Sequence, residues 1–272
     1  MIDIHTHLHP PRLFAAIRRW FAANSSWDIA AQPQDPSEVA AVLRSAGVER
    51  FVFCSYAHRP HMARELNAWL VQAARSLGGY GVPLATIHPD DPSCADDLRA
   101  ALDAGCAGLK LHEDVQQVAC DDARLDPIYD ELAARNRFLL VHVGPIPWEY
   151  KAREGRERVE RVLQRHPNLT VVVAHFGVPD TLEYFELMVS HQHLYLDTTM
   201  VFAPTSPMRA KVSAVDAIEA HAERVVYGTD FPNIPHDYLA EYRGLESLGL
   251  QASTLRAVLH DNAERLLKNA GA

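Results

Sequence analysis

The chain has 272 residues, 48% of them hydrophobic and 22% charged, and a formal charge of −9. That length can bury one large core, so a single domain over residues 1–272 is expected, as α/β barrels of this size routinely are. The acidic balance, spread along the chain, excludes nucleic acid or an anionic membrane surface as main partner, and no apolar run approaches the roughly 20 residues of a membrane span.

Ile2 to His7 opens the chain as a short apolar strand that ends in two histidines one residue apart. Residues two apart on a strand share a face, so His5 and His7 present their imidazoles side by side. A helical piece follows from Arg12 to Ala23, then a polar, Pro-containing loop to Pro36 that carries Trp27. Structureless insertions of this length after a first strand tend to be functional, which marks residues 9–36 as a lid. A helix opened by Pro36-Ser37-Glu38 stops at Gly47.

Arg50 to Ser55 reads as a buried strand and leads into Tyr56-Ala57-His58-Arg59. Met62 to Leu77 is an amphipathic helix and Gly81 to Ile87 a third strand, ending at His88. Ala95 to Ala104 is helical. Gly108 to His112 forms a fourth strand, followed by a loop past Cys120 and a helix from Leu125 to Arg135. Phe138 to Val143 is the fifth strand, containing His142, and Trp148 lies in the loop beyond it. Glu157 to Arg165 is helical, and Leu169 to Ala174 is a sixth strand ending at His175. After the helix Pro179 to Ser190 come the seventh strand, Leu194 to Asp197, and a helix from Val212 to Ala222. Val225 to Gly228 is the eighth strand, ending in Thr229-Asp230, and helices at Tyr238 to Leu248 and Ser253 to Lys268 close the chain.

Eight alternations of buried strand and amphipathic helix predict an α/β fold, a (β/α)₈ TIM barrel with its active groups at the C-terminal ends of the strands. Those ends carry His5, His7, Tyr56 or His58, His88, Lys110 or His112, His142, His175, Asp197 and Asp230. A core does not collect ionisable groups at every strand end without a reason, since each costs several kcal/mol unless paired or metal-bound. Position thus accounts for much of the count of 15 histidines. The four cysteines (Cys54, Cys94, Cys106, Cys120) form no C-x-x-C pair, and the N-terminus lacks a basic leader region. Both point to reduced thiols in a cytoplasmic protein, with Cys54 a small core residue.

The motifs D-I-H-T-H (3–7), G-L-K-L-H (108–112), L-V-H-V-G (140–144), V-V-A-H-F-G (172–177), Y-G-T-D-F-P (227–232) and D-N-A-E-R-L-L (261–267) occur in order along the whole chain. With them the sequence resembles the amidohydrolase superfamily, in the branch that includes aminocarboxymuconate-semialdehyde decarboxylase and related metal-dependent hydrolases. The resemblance implies one divalent metal ion, held by His5, His7, His142 and Asp230, with His175 as the catalytic histidine beside it. The chemistry agrees: three neutral imidazoles and a carboxylate suit Zn²⁺, with Mn²⁺ as the other candidate, and leave a position for water. Such a site acidifies water toward a pKa of roughly 7. Asp230 would take the water's proton, and His175 would orient the nucleophile or stabilise charge on the substrate oxygen.

In some amidohydrolases a carboxylated lysine on the fourth strand bridges two metals. This branch usually keeps one, so Lys110 is read as a barrel-mouth charge or substrate contact, with His112 beside it and a binuclear site as the alternative. Tyr56, His58 and Arg59 suit an anion-binding element, because Arg can hold a carboxylate with two parallel bonds, but they suit an ordinary exposed loop equally. Trp27 and Trp148 would line the pocket or pack within their loops. Asp197 would orient His175 or a neighbouring strand end, or cap a helix. The expected activity is hydrolysis of an ester, lactone or amide bond in a small, carboxylate-bearing molecule. The alternative is a non-oxidative decarboxylase built from the same residues. Relatives are often dimers, which leaves a homodimer open.

Overall fold

The computed structural model describes residues 1–144, 154–206, 208 and 214–272. Among them run eight strands: β1 (Ile2–His7), β2 (Arg50–Cys54), β3 (Gly81–Pro83), β4 (Gly108–His112), β5 (Phe138–His142), β6 (Thr170–Val173), β7 (Leu194–Asp197) and β8 (Val225–Val226). The ladders β1-β2-β3 and β4 through β8 are parallel. Two seams close them into a (β/α)₈ TIM barrel. At one, Ala85 bridges Leu109 and its N–H donates to the Gly108 carbonyl at 2.8 Å. At the other, Ile4 N–H donates to the Tyr227 carbonyl at 2.9 Å.

The strands are rich in β-branched and aromatic residues because both of their faces are covered. Alternate residues point to opposite sides, and two apolar layers follow from that period. Ile4, Val52, Leu84, Leu140, Val172 and Val226 fill the barrel. Phe51, Phe53, Leu109, Leu139 and Val171 face outward and pack with helix residues such as Leu43, Leu70, Leu98 and Leu132. No helix among the described residues is long and apolar enough to cross a membrane.

Segment 9–36 contains a helix, Pro11–Asn24, and then irregular chain up to Asp35, which caps the next helix, Pro36–Ser45, by accepting from Ser37 N–H at 2.8 Å. The Gln32 amide donates to the carbonyls of Ile234 and His236, both at 3.0 Å, tying the segment to the loop after β8. Trp27 is buried and stacks on Phe21, 5.9 Å between ring centres, so packing within the segment accounts for it.

Two local readings of the sequence are corrected. Beyond β4 the chain enters a short helix, Glu113–Gln116, where a loop was expected. Gln116 explains it: its side chain accepts from His112 N–H at 2.9 Å and donates to the Ile87 carbonyl at 2.7 Å. The expected helix Ser253 to Lys268 is broken into Ala252–Arg256 and Asn262–Asn269 by a π-helical turn, Ala257–Asp261. The wider turn frees the Val258 carbonyl to accept from Tyr227 N–H at 3.0 Å, and Asn262 donates to the Ala222 and Val225 carbonyls. Tertiary bonds to β8 outweigh helical propensity here.

The chain after β7 is held by Glu241, from the helix Ala240–Glu246, which accepts from the backbone N–H groups of Val201, Phe202 and Ala203 at 3.2, 2.9 and 2.9 Å. Burial pushes its carboxyl from an ordinary 4.5 up to about 8, against the pull of those three donors. The folded state therefore binds a proton the unfolded chain releases. That contribution to stability is complete below pH 4.5 and is lost as the pH rises to about 8. Glu241→Gln should flatten the profile of thermal midpoint against pH across this window, and an unchanged slope would contradict the assignment. Glu241→Ala, which orphans three buried donors, should cost about 3 kcal/mol in denaturant unfolding.

Candidate metal centre

β1 carries His5 and His7 to the mouth of the barrel, and the partners of each ring decide which nitrogen faces inward. His5 Nδ1 lies 2.8 Å from Asp197 Oδ2. Because the carboxylate only accepts, Nδ1 carries the hydrogen and Nε2 keeps its lone pair. His7 Nδ1 lies 3.3 Å from Cys54 Sγ, and the thiol donates to the Thr6 carbonyl at 3.4 Å. The sulfur thus accepts from Nδ1–H, and Nε2 of His7 is the nitrogen turned into the mouth, toward Asp230 and Tyr56. His142 Nε2 donates to the Gly144 carbonyl at 3.0 Å, leaving Nδ1. His175 Nδ1 donates to the Thr199 carbonyl at 3.2 Å, leaving Nε2.

The carboxylate of Asp230 meets these rings. Its Oδ1 lies 3.1 Å from His5 Nε2 and 2.9 Å from His7 Nε2. His142 and His175 stand edge to face, 4.6 Å between centres, and His175 is 5.6 Å from His5. Tyr56 Oη is 3.2 Å from His7 Nε2, and Lys110 Nζ is 3.0 Å from His5 Nε2. His112 stacks on His142 at 3.9 Å.

Backbone strain is concentrated at this point. His175 and Asp230 have φ of 55° and 71°, in the left-handed region that costs most side chains energy. Bonds on both sides hold them there. His175 N–H donates to Asp197 Oδ1 at 2.8 Å, and Asp230 N–H donates to the His5 carbonyl at 2.8 Å. Gly228 is needed between β8 and its neighbours, because a Cβ there would lie 2.4 Å from Thr199 Oγ1 and 2.9 Å from His5 Cβ. Asp3 braces the same seam from below: it accepts from Thr229 Oγ1 at 2.7 Å, Tyr238 Oη at 3.0 Å and His5 N–H at 3.1 Å.

Electrostatics prepare the cluster for a cation. Burial would raise the Asp230 carboxyl, but His5, His7 and His175 around it hold it well below the usual carboxylate range. Burial keeps His112 and His142 neutral, aided by their neighbouring cationic groups, and lowers His175. His5 is pulled down to about 4 by burial and by Lys110. At His7 burial opposes charge, yet Cys54 and Asp230 push it up to about 10. A proton held there is one that a metal ion would have to displace.

The chain of site expectations largely converges. His5, His7, His142, His175, Asp230, Lys110, His112 and Tyr56 all meet at one mouth. His58 and Arg59 do not join them: both side chains are exposed on the loop after β2, where His58 bonds to the backbone of Tyr56. Trp148 lies outside the described residues. Asp197 binds His5 and the backbone N–H of His175, which opens the short 3-10 turn His175–Gly177. Cys54, expected only as core, also supports His7, and His5, His7 and Cys54 bring donor atoms within 4.8 Å of one another, a group that could hold a metal ion. Its signal in the sequence was register, because Cys54 pairs with His7 across the parallel ladder.

The model of the amidohydrolase-2 family, described as Amidohydrolase, matches residues 2–268. The chain belongs to the amidohydrolase family. This amidohydrolase is 21% identical to a 6-methylsalicylic acid decarboxylase of Penicillium expansum, over 94% of this chain and 93% of that one. It is 26% identical to a dihydroorotase of Pseudoalteromonas atlantica over 145 residues, 47% of this chain and 42% of the relative. The match therefore spans well under half the length of that dihydroorotase. Among solved structures, an uncharacterised TIM-barrel protein of Bordetella bronchiseptica superposes with a TM-score of 0.79 at 22% identity, covering 100% of both chains. The likeness confirms the barrel.

Inward lone pairs fixed by outer partners and an ionised carboxylate among them together fit a divalent ion at this amidohydrolase's mouth. Asp197→Asn tests the support. The amide would keep its bonds to His175 and Thr199 but would donate to His5 Nδ1, turning the lone pair of Nε2 into an N–H. Metal affinity, measured by chelator competition, should fall about 10–100-fold with the fold intact.

Proposed function

We propose that this amidohydrolase is a metal-dependent hydrolase of an ester, lactone or amide bond in a small carboxylate-bearing molecule. In this reading His5, His7, His142 and Asp230 hold one divalent ion, zinc by donor chemistry, with manganese the next candidate. When bound, the ion supplies an acidified water and polarises the substrate carbonyl. The protein's own groups do the rest. Asp230 takes a proton from the water and passes it to the leaving group. His175, kept neutral by burial, orients the nucleophile or the substrate oxygen through Nε2. Residues 9–36, tied through Gln32 to the loop after β8, close one side of the mouth.

One observation carries the hydrolytic reading. Asp230 Oδ1 faces Nε2 of His5 and of His7, beside which it would join them on the ion, while Oδ2 has no hydrogen-bond partner among the described residues and the side chain is 14% exposed. A carboxylate with one oxygen committed and the other open is suited to remove a proton from water. The second reading, a decarboxylase, is favoured by the near full-length match to the 6-methylsalicylic acid decarboxylase. There a protonated group of the same cluster would deliver H⁺ to the carbanion left by CO₂.

Elemental analysis should find about one zinc or manganese per chain, absent from a folded His5→Ala/His7→Ala variant. Asp230→Asn and His175→Ala should each lower turnover by about 10³-fold. With a substrate in hand, reaction in ¹⁸O-labelled water should place the label in the product acid. Release of CO₂ without consumption of water would overturn hydrolysis and leave the lyase.

A further inference from the structure

Tyr56, Lys110 and His112 remain without a role at the mouth once the ligands and His175 have theirs, and the last two share β4. Lys110 is fully buried on β4, and among the described residues its Nζ makes one hydrogen bond, to His5 Nε2 at 3.0 Å. No carboxylate lies within ion-pair distance of it among the described residues. The lone pair it uses is the one assigned above to the metal, and a single lone pair serves one partner. With the ion in place, the ammonium loses its acceptor. Beneath it the barrel is packed with hydrocarbon such as Leu140 and Val172, so a replacement acceptor must come from the open side.

His112 is the second group. Two residues further along β4, it shares the face of Lys110. Its ring is clamped, stacked on His142 at 3.9 Å and edge-on to Tyr56 at 5.2 Å, and its backbone N–H is bonded to Gln116. Its Nδ1 is nonetheless buried without a hydrogen-bond partner among the described residues. Buried polar groups are normally satisfied, so an unsatisfied one held rigidly beside His142 calls for a partner that arrives with substrate. Charge points the same way. A divalent ion and an ammonium exceed by one positive charge what Asp230 and Asp197 neutralise.

We propose that Lys110 and His112 form an anion subsite beside the metal position, which takes a carboxylate or equivalent oxyanion of the substrate. This rests on the metal assignment above and narrows it. The substrate is an acid whose anionic oxygens lie close to the bond attacked, and the exposed Arg59 is not its anchor.

The experiment uses zinc-loaded full-length protein, with benzoate as the probe and benzyl alcohol as the neutral control, titrated by calorimetry. Lys110→Met should weaken benzoate at least tenfold, leave benzyl alcohol unchanged and hold zinc at one per chain with equal or tighter affinity. His112→Phe, which keeps the stack on His142, should weaken benzoate without altering zinc affinity. Benzoate binding unchanged in both variants, or absent from the zinc-loaded parent, would overturn the subsite while leaving the metal assignment standing. Loss of zinc in Lys110→Met would overturn it differently, by making Lys110 part of the metal's own ligand set. A parent protein that takes up no metal would remove the proposed function and the subsite together.

Discussion

Closure of β1 against β8 is the constraint on which the mouth of this barrel depends. The His5 carbonyl accepts from both Thr229 and Asp230, and Asp3 is gripped from the β8 side by Thr229 and Tyr238. These bonds hold Asp230 in a left-handed conformation that an aspartate would not adopt freely, with its carboxylate against the two β1 imidazoles. Burying Asp3 is costly, and burial pushes its carboxyl up to about 7. Three hydrogen bonds offset that cost and turn the residue into a rivet beneath the cluster.

Above the rivet, Asp197 does for the histidines what Asp3 does for the backbone. One of its oxygens fixes the tautomer of His5, and the other accepts from the N–H groups of His175 and Thr199. A single buried carboxylate thereby sets a lone pair on β1 and the position of a ring after β6. Cys54 and the carbonyls of Gly144 and Thr199 perform the same service for His7, His142 and His175. The histidines are interchangeable as residue types, but their outer partners make them directional.

Much of this was legible in advance for a simple reason. Parallel strands buried on both faces read as short apolar runs, and an ionisable residue at the end of such a run stands out. His5, His7, His142, His175 and Asp230 were visible that way, and so was Lys110. Arg59 and His58 were not separable by the same rule, because they lie exposed on the loop just past Tyr56 and sequence spacing does not say where that loop turns. The broken helix at Ala257–Asp261 was hidden too. Its residues have good helical pattern, and only the demand of Tyr227 for the Val258 carbonyl widens the turn.

By itself the sequence determined the eight-fold alternation of strand and helix, the strand-end residues and, through their motifs, the amidohydrolase family. Those properties are local: each is set within one strand and its following turn. The tertiary structure alone decided which nitrogen of each histidine faces inward, that Asp197 and Cys54 are the supports, and that Lys110 rests on His5. His5 and Asp197 stand 192 residues apart, and their hydrogen bond exists only because the barrel closes in one register. A tautomer is chosen by contact, and contact across such a distance is a property of the closed barrel.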